Sequence, residues 1–388
     1  MIEPKLRFKT DDGSQFPDWE EKTVGDMTVE LQDYESFSSG YPLMTSSRTG
    51  LMMQNEFRSK SSTDDNTAIF SVVPRGVATY RHMSDDDIFH FNINNLVDKG
   101  LVSKEYPVFN TKDNYNLYLL VEYLNSSRNF LNFCKAQKKG GTRTRLYFNV
   151  LKDFELSMPS FPEQQKIAEF LSTIDTVIEK QKETVSAWEE RKKGVMQKLF
   201  SQEVRFKADD GSEFPDWEKK KLEDVVEFLD GQRKPLEAGQ RVSGKYPYYG
   251  ASGIIDYVEN YIFDEELILL SEDGANILDR NYRVCFLAKG KYWVNNHAHV
   301  LRAMDGNVNG FICEQLESFD YRKYNSGGAQ PKLNQATCRA IIMNIPCLEE
   351  QQKIADCLSS LDDVIEKQKA TLAAWEEMKK GLLQQMFV

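Results

Sequence analysis

Residues 163–200 read EQQKIAEFLSTIDTVIEKQKETVSAWEERKKGVMQKLF, and residues 350–387 read EQQKIADCLSSLDDVIEKQKATLAAWEEMKKGLLQQMF. The strings agree at 25 of 38 positions, at a constant offset of 187. Apolar residues recur in each copy at heptad a and d positions. The first copy carries Ile167, Leu171, Ile174, Ile178, Val185, Trp188, Val195 and Leu199. The second carries Ile354, Leu358, Leu361, Ile365, Leu372, Trp375, Leu382 and Met386. Gln181 and Lys192, and Gln368 and Lys379, interrupt the two stripes. A helix of this length would run ~57 Å. A helix with one apolar stripe must cover it with a partner. The nearest candidate is the other copy. Antiparallel packing would relate the halves by a pseudo-two-fold axis and return the C-terminus to the first half. Gln181 and Gln368 are expected near the middle of such a coil, where polar residues set register. Pro162 and Pro346 suit chain entry into the two helices.

A second repeat precedes each helix. RFKTDDGSQFPDWEEK (7–22) returns as RFKADDGSEFPDWEKK (205–220), with 13 of 16 letters alike at an offset of 198. Between the repeated pieces, 23–139 and 221–326 show little likeness. They rejoin at GGTRTRL (140–146) and GGAQPKL (327–333), again at an offset of 187. The plan is constant–variable–constant, twice. Strand-like runs (TAIFSVV, EELILL, RVCFLA) and a helical run (YLLVEYLNS) make both inserts mixed α/β. The predicted fold is two globular domains, 1–158 and 202–345, separated by two long antiparallel coiled-coil helices, 159–201 and 346–388. The seam residues expected to carry that coil are Ile167, Leu171, Ile174, Ile178 and Trp188 against Ile354, Leu358, Leu361, Ile365 and Trp375.

Several functional classes lack their marks. No run of about 18 apolar residues exists, and MIEPKLRFK offers no apolar signal core, so a cytoplasmic chain without a membrane span is expected. Six scattered cysteines without a C-x-x-C read as reduced thiols. No phosphate-cradling glycine loop and no amino-methyltransferase signature appear, and no nucleophile elbow marks a catalytic serine. Pro-Asp followed by Glu-x-Lys, at Glu20–Lys22 and Glu218–Lys220, has the letters of a Mg²⁺-dependent nuclease. A nuclease, however, gathers its carboxylates from separate strands. Here a turn followed by a buried anchor, Trp19 or Trp217, is the simpler expectation. Alternation would put His297 and His299 on one strand face, without a third metal ligand. No catalytic residue and no metal site are therefore assigned.

The net charge of −11 argues against a polyanionic partner only if it is evenly spread. It is not. Lys135–Lys152 holds six basic residues and no acid, and Tyr321–Arg339 holds four and no acid. Further basic residues sit among loop aromatics, while local acid gathers at Asp85–Asp87. Two basic faces, one per insert, fit double-stranded DNA. The candidate contacts are Arg75, Arg81, Lys138, Lys139, Arg143 and Arg145 in the first insert. In the second they are Arg233, Lys234, Tyr249, Arg280, Asn296, His297, Gln330 and Lys332.

PSFPEQQKIAEFLSTID and PCLEEQQKIADCLSSLD, each opening a long helix, resemble the specificity (S) subunits of type I restriction-modification enzymes. GGAQPKLN (327–334), YPYYGASGIIDYV (246–258) and GLVSKEYPVF (100–109) add to the likeness, which spans the whole chain in order. The resemblance implies that each insert is a target-recognition domain reading one half of an asymmetric bipartite DNA site. It implies that the paired helices set the spacer. It further implies that two methylation (M) subunits, and through them restriction (R) subunits, dock on the scaffold. No cofactor is expected in this chain; S-adenosylmethionine, ATP and Mg would belong to those partners. GGTRTRLYF departs from the motif and its contacts can differ, so the motif's role is carried first to Gln330, Pro331 and Lys332 and after them to Arg143 and Arg145. A stand-alone nuclease or fused methyltransferase would cut or methylate DNA by itself. A coiled-coil adaptor that binds only protein would leave its complex indifferent to any DNA sequence.

Overall fold

The computed structural model describes residues 4–54, 68–138, 140, 142–328 and 330–387. It divides into two compact units, residues 1–181 with 371–388, and residues 182–370. Four helices carry the repeat: α1 (Leu117–Ser126), α2 (Phe161–Phe200), α3 (Asn309–Glu317) and α4 (Leu348–Met386). The predicted long helices are present, each beginning two residues earlier than its repeated string. The boundaries of the two units fall within them, at 181/182 and 370/371. Each helix gives one end to each unit.

In the first unit, Ile167 and Leu171 of α2 share a core with Leu383, Met386 and Phe387 from the chain's C-terminal end. The expected return of the C-terminus to the first half is thus observed. In the second unit, Leu199 of α2 shares a core with Ile354, Ala355 and Leu358 of α4. The two helices run antiparallel there, since Lys192 meets Asp362 at 2.7 Å while Glu189 meets Lys369 at 2.6 Å. Of the predicted seam, Ile174, Ile178 and Ile365 are also buried. Leu361, Trp188 and Trp375 are only half-buried, which corrects their assignment as full core residues. The Trp188 ring is covered by the guanidinium of Arg191, 5.0 Å from its centroid, one helical turn on.

The lysines that interrupt the stripes have a use. Lys379 is held by Glu122 of α1 at 2.9 Å and by Asp175 of α2 at 2.6 Å. Lys192 is held by Glu314 of α3 at 3.1 Å and by Asp362 of α4 at 2.7 Å. In both units one lysine therefore ties two long helices to a helix of the insert.

The EQQ triplet locks each insert to its long helix. Glu163, with no side-chain exposure, accepts from Arg7 Nη2 at 2.9 Å, Arg7 Nε at 3.2 Å and Trp19 Nε1 at 3.2 Å. Glu350, equally enclosed, accepts from Arg205 Nη2 at 2.7 Å, Arg205 Nε at 3.1 Å and Trp217 Nε1 at 3.0 Å. Gln164 Oε1 accepts from the Asn116 amide at 2.9 Å, and Gln351 Oε1 from the Val308 amide at 3.0 Å. Each glutamine thereby satisfies an amide at the start of an insert helix. The DDGS-FPDWE piece is a turn and an anchor, with Trp19 buried as its letters suggested and Trp217 only half-buried. Its last residues form strands, Glu20–Thr23 against Glu155–Met158 and Glu218–Lys221 against Ile342–Ile345.

The inserts differ in their sheets. The first has a three-stranded sheet (Tyr34–Ser36, Ile69–Pro74, Lys99–Ser103) and a four-stranded one (Thr28–Glu30, Val108–Thr111, Ala78–Tyr80, Phe91–Ile93). The second has two four-stranded sheets. One orders Val226–Phe228, Ala298–Ala303, Leu267–Ser271 and Cys285–Ala288; the other orders Gly253–Val258, Ser243–Gly250, Lys291–Val294 and Phe263–Asp264.

Candidate nucleic-acid interface

The site of the second unit is built where the buried strand Leu267–Ser271 ends. Three segments converge on residues 271–274. The tip of the 243–258 hairpin is held by Ser271 Oγ, which donates to the Ala251 carbonyl at 2.5 Å. The 295–297 turn is held by the Glu272 amide, which donates to the His297 carbonyl at 2.9 Å. The 326–334 loop is held from both sides: Gly274 N donates to Pro331 O at 3.0 Å, and Leu333 N donates to Glu272 O at 2.7 Å. That loop needs Gly327, because a Cβ there would fall 1.9 Å from the Gln330 carbonyl.

Beneath the loops lies a buried charge network. His299, 1% exposed, places Nδ1 2.7 Å from Asp230 Oδ2 and Nε2 2.8 Å from the Leu333 carbonyl. Asp230 also accepts from Val300 N at 2.9 Å and from Gln335 Nε2 at 2.7 Å. Burial acts against a charged imidazole, but hydrogen bonds to Asp230 and Cys338 outweigh it, and the His299 pKa is pushed up to about 10. Burial likewise acts against the Asp230 carboxylate, yet its His299 partner holds its pKa below the ordinary value. A raised histidine pKa stabilises the folded unit in full below 6.5, and that contribution is lost as pH climbs through about 10. The second unit should therefore lose on the order of a few kcal/mol between pH 6.5 and 10. His299→Gln should remove most of that slope while lowering stability at neutral pH. Melting curves of the two proteins across this range check it.

Arg233 is an inner brace rather than a free contact. It is 14% exposed and donates to Glu272 Oε2 at 2.8 Å and to the carbonyls of Ala298 at 2.7 Å and Asn296 at 3.4 Å. Above it, Asn296 and His297 are exposed, and His297 Nδ1 lies 2.9 Å from Asp273. Lys332 is exposed, 3.4 Å from Glu272 Oε1, and Gln330 is exposed on the same loop. The structure thus gathers Arg233, Asn296, His297, Gln330 and Lys332. His297 and His299 do not share a strand face: His297 sits in the turn before the strand Ala298–Ala303, exposed, while His299 is buried within it. The Tyr249 ring is turned to the core, against Phe286 and Tyr292. Lys234 is exposed, with its carbonyl bonded to Trp293 Nε1. Arg280 is spent elsewhere, its guanidinium on the Glu317 side chain and carbonyl.

In the first unit the equivalent loop takes the same seat. Leu146 N donates to His82 O at 2.8 Å, as Leu333 N does to Glu272 O. Thr144–Arg145 pairs antiparallel with Met83–Ser84, so Arg145 stands opposite Met83 as Lys332 stands opposite Asp273. The departure of GGTRTRL from GGAQPKL therefore does not remove Arg145 from the position of Lys332. The acidic cluster claims much of the basic run. Arg143 binds Asp85 at 2.7 Å, Lys138 lies 3.6 Å from Asp87, Thr144 donates to Asp87, and Arg48 binds Asp86 at 2.5 Å. Arg81 and Arg145 are exposed and form no ion pair among the described residues. Arg75, at the other end of the strand Ala78–Tyr80 from Arg81, holds Asp98 and the carbonyls of Asn95 and Leu96. Lys139 lies outside the described residues.

The organisers of both sites, Asp230, Glu272 and Asp273 in one and Asp85–Asp87 in the other, were missed as site residues. Asp85–Asp87 stand out in the sequence as a cluster of acid, but their basic partners, and those of Glu272 and Asp273, lie many residues away. No group of three or more His, Cys, Asp or Glu among the described residues could hold a metal ion. Among them, too, no helix is long and apolar enough to cross a membrane.

Comparison with known proteins places this architecture. A family model described as the type I restriction modification DNA specificity domain matches residues 88–186 and 215–374. Over 152 residues the chain is 38% identical to a putative type I restriction enzyme specificity subunit of Haemophilus influenzae, covering 39% of this chain and 38% of that relative. It thus spans well under two thirds of that relative's length. Over 341 residues it is 25% identical to the putative type I restriction enzyme MjaX specificity subunit of Methanocaldococcus jannaschii, covering 79% of this chain and 78% of the other. In fold it is similar to the crystal structure of a type I restriction-modification system S subunit from M. genitalium, with a TM-score of 0.61, 16% identity, and coverage of 100% and 99%. The matched ranges take in parts of both units, and the chain belongs to the family of type I restriction-modification DNA specificity domains.

Proposed function

We propose that this chain is the DNA-reading subunit of a type I restriction-modification complex in the cytoplasm, with each unit reading one half of an asymmetric bipartite site. The supporting observation is the pair of equivalent loops. One backbone seat, on residue 82 or 272, presents Arg145 beside Met83 in one unit and Lys332 beside Asp273 in the other. A common mount with unlike side chains suits two unlike half-sites. Base edges in the major groove are distinguished by such donors, and phosphate contacts set the register.

On this reading α2 and α4 set the spacer, so half-sites lie about one DNA turn apart, ~34 Å centre to centre. Each residue added to a helix shifts its end by ~1.5 Å. Two methylation subunits dock on the helical scaffold and restriction subunits join through them. S-adenosylmethionine, ATP and Mg are held by those partners, and this chain supplies no catalytic group.

The test is sequence preference. With its methylation subunits present, the complex should prefer one bipartite sequence; binding without any preference would overturn the reading. Arg145→Ala should weaken or relax the first half-site alone, and Lys332→Ala the second alone, each by ~1–3 kcal/mol if a base is read. Methylation patterns in a host carrying each variant would show which half-site changed.

A further inference from the structure

The hairpin of the second unit carries two aliphatic side chains that serve no core. Its strands pair Tyr248 with Asp256 and Tyr249 with Ile254, so Ile255 is an extra residue, a β-bulge. Bulges re-aim side chains. Regular alternation would send neighbours to opposite faces, yet Ile254 and Ile255 are both outside, 45% and 52% exposed. The facing residue is Gly250. A Cβ there would lie 3.0 Å from Ile255 Cγ2 and 3.5 Å from Asn295 Nδ2. Ile255 therefore rests over a position that has no side chain, beside Asn295. The Asn295 carboxamide oxygen accepts from His297 N at 2.8 Å, and Asn295 N donates to Tyr249 O at 3.0 Å. With Ser271 Oγ on the Ala251 carbonyl, the tip is tied to the residues that carry His297 and Lys332. The aliphatic pair is thus continuous with the polar cluster, and it is held in place before any partner arrives.

We propose that Ile254 and Ile255 are specificity-determining residues that read the C5-methyl group of a thymine in the half-site of the second unit. This rests on the DNA-reading function above. A two-stranded β-ribbon fits the major groove, where the thymine methyl is the apolar mark on a base pair and is recognised by apolar contact. His297 and Lys332 supply polar and cationic contacts beside the pair, which suits DNA better than an apolar peptide.

The test uses the full chain with its methylation subunits and its preferred duplex. Each thymine of the second half-site is replaced in turn by deoxyuridine, which deletes only the methyl group. One replacement should weaken binding about three- to fivefold, the effect of one methyl returned to water. The Ile254→Ala, Ile255→Ala variant should bind the natural duplex more weakly and should no longer distinguish deoxyuridine at that position. Replacements in the first half-site should act on both proteins alike. Tolerance of every replacement, a second half-site without an A·T pair, or discrimination retained by the variant would each overturn the proposal. If Lys332→Ala still weakens the second half-site while every replacement is tolerated, DNA reading stands and the tip assignment falls. Loss of all sequence preference in the unaltered complex would instead overturn the parent function.

Discussion

Ending the chain after Leu382 is expected to unfold the first unit while leaving the second intact. Leu383, Met386 and Phe387 lie in the core of the first unit, although the recognition insert they support ends more than 220 residues earlier. The Phe387 ring lies 5.1 Å from that of Tyr123 on α1, and the Gln385 carbonyl accepts from Leu6 N at 3.2 Å. Removing one large buried side chain costs ~2–5 kcal/mol. Losing three from one core approaches or exceeds the ~5–15 kcal/mol that holds a typical domain folded. Hydrogen exchange read peptide by peptide checks it. Protection should collapse over 117–158 and persist over 267–303. Unchanged protection in 117–158 would show that the C-terminal end is not part of that core.

The second large effect concerns the carboxylate that opens each long helix. Glu350→Ala should destabilise the second unit by ~3–5 kcal/mol, because it leaves the Arg205 guanidinium and the Trp217 indole N–H without their shared partner. The hydrogen bond to Glu350 raises the Arg205 pKa, and without that partner the guanidinium still stays charged, because its ordinary value lies far above neutral pH. For a unit of this size the melting temperature should fall by roughly 6–20 °C. Glu350→Gln keeps an acceptor for Trp217 and should fall between the two. Glu163→Ala should act in the same way on the first unit, through Arg7 and Trp19. A Gln variant as stable as the unaltered chain would show that charge is not what this site requires.

These contacts explain why EQQ stands at the head of both repeats. Its glutamate and first glutamine are themselves buried and have fully specified partners, Arg7 and Trp19 with Asn116, or Arg205 and Trp217 with Val308. The wider likeness of the two helices reflects a constraint common to both, since each must fit its own insert at one end and the other insert at its far end.

The candidate site was only partly legible. Asn296, His297, Gln330 and Lys332 do meet at one strand end, and Arg81 and Arg145 are exposed. Arg233, Arg143, Lys138, Arg75 and Arg280 were chosen on the same compositional grounds, and each has an acidic or carbonyl partner within its own unit, as the exposed His297 and Lys332 do in Asp273 and Glu272. A basic residue in a loop looks the same in a sequence whether it faces DNA or a carboxylate.

The duplication, the two long helices with their apolar stripes and the mixed character of the inserts are legible in the string of residues alone. A repeat is a comparison of strings, and helical periodicity is a local property that survives in any tertiary setting. Which side chains at the far helix ends enter each core, and which cations have partners within their unit, emerge only in the folded chain. Both follow from contacts between residues far apart in sequence: Lys379 with Glu122, His299 with Asp230, Arg143 with Asp85. Charge pairing in a folded chain depends on distance in space, and chain order does not carry that distance.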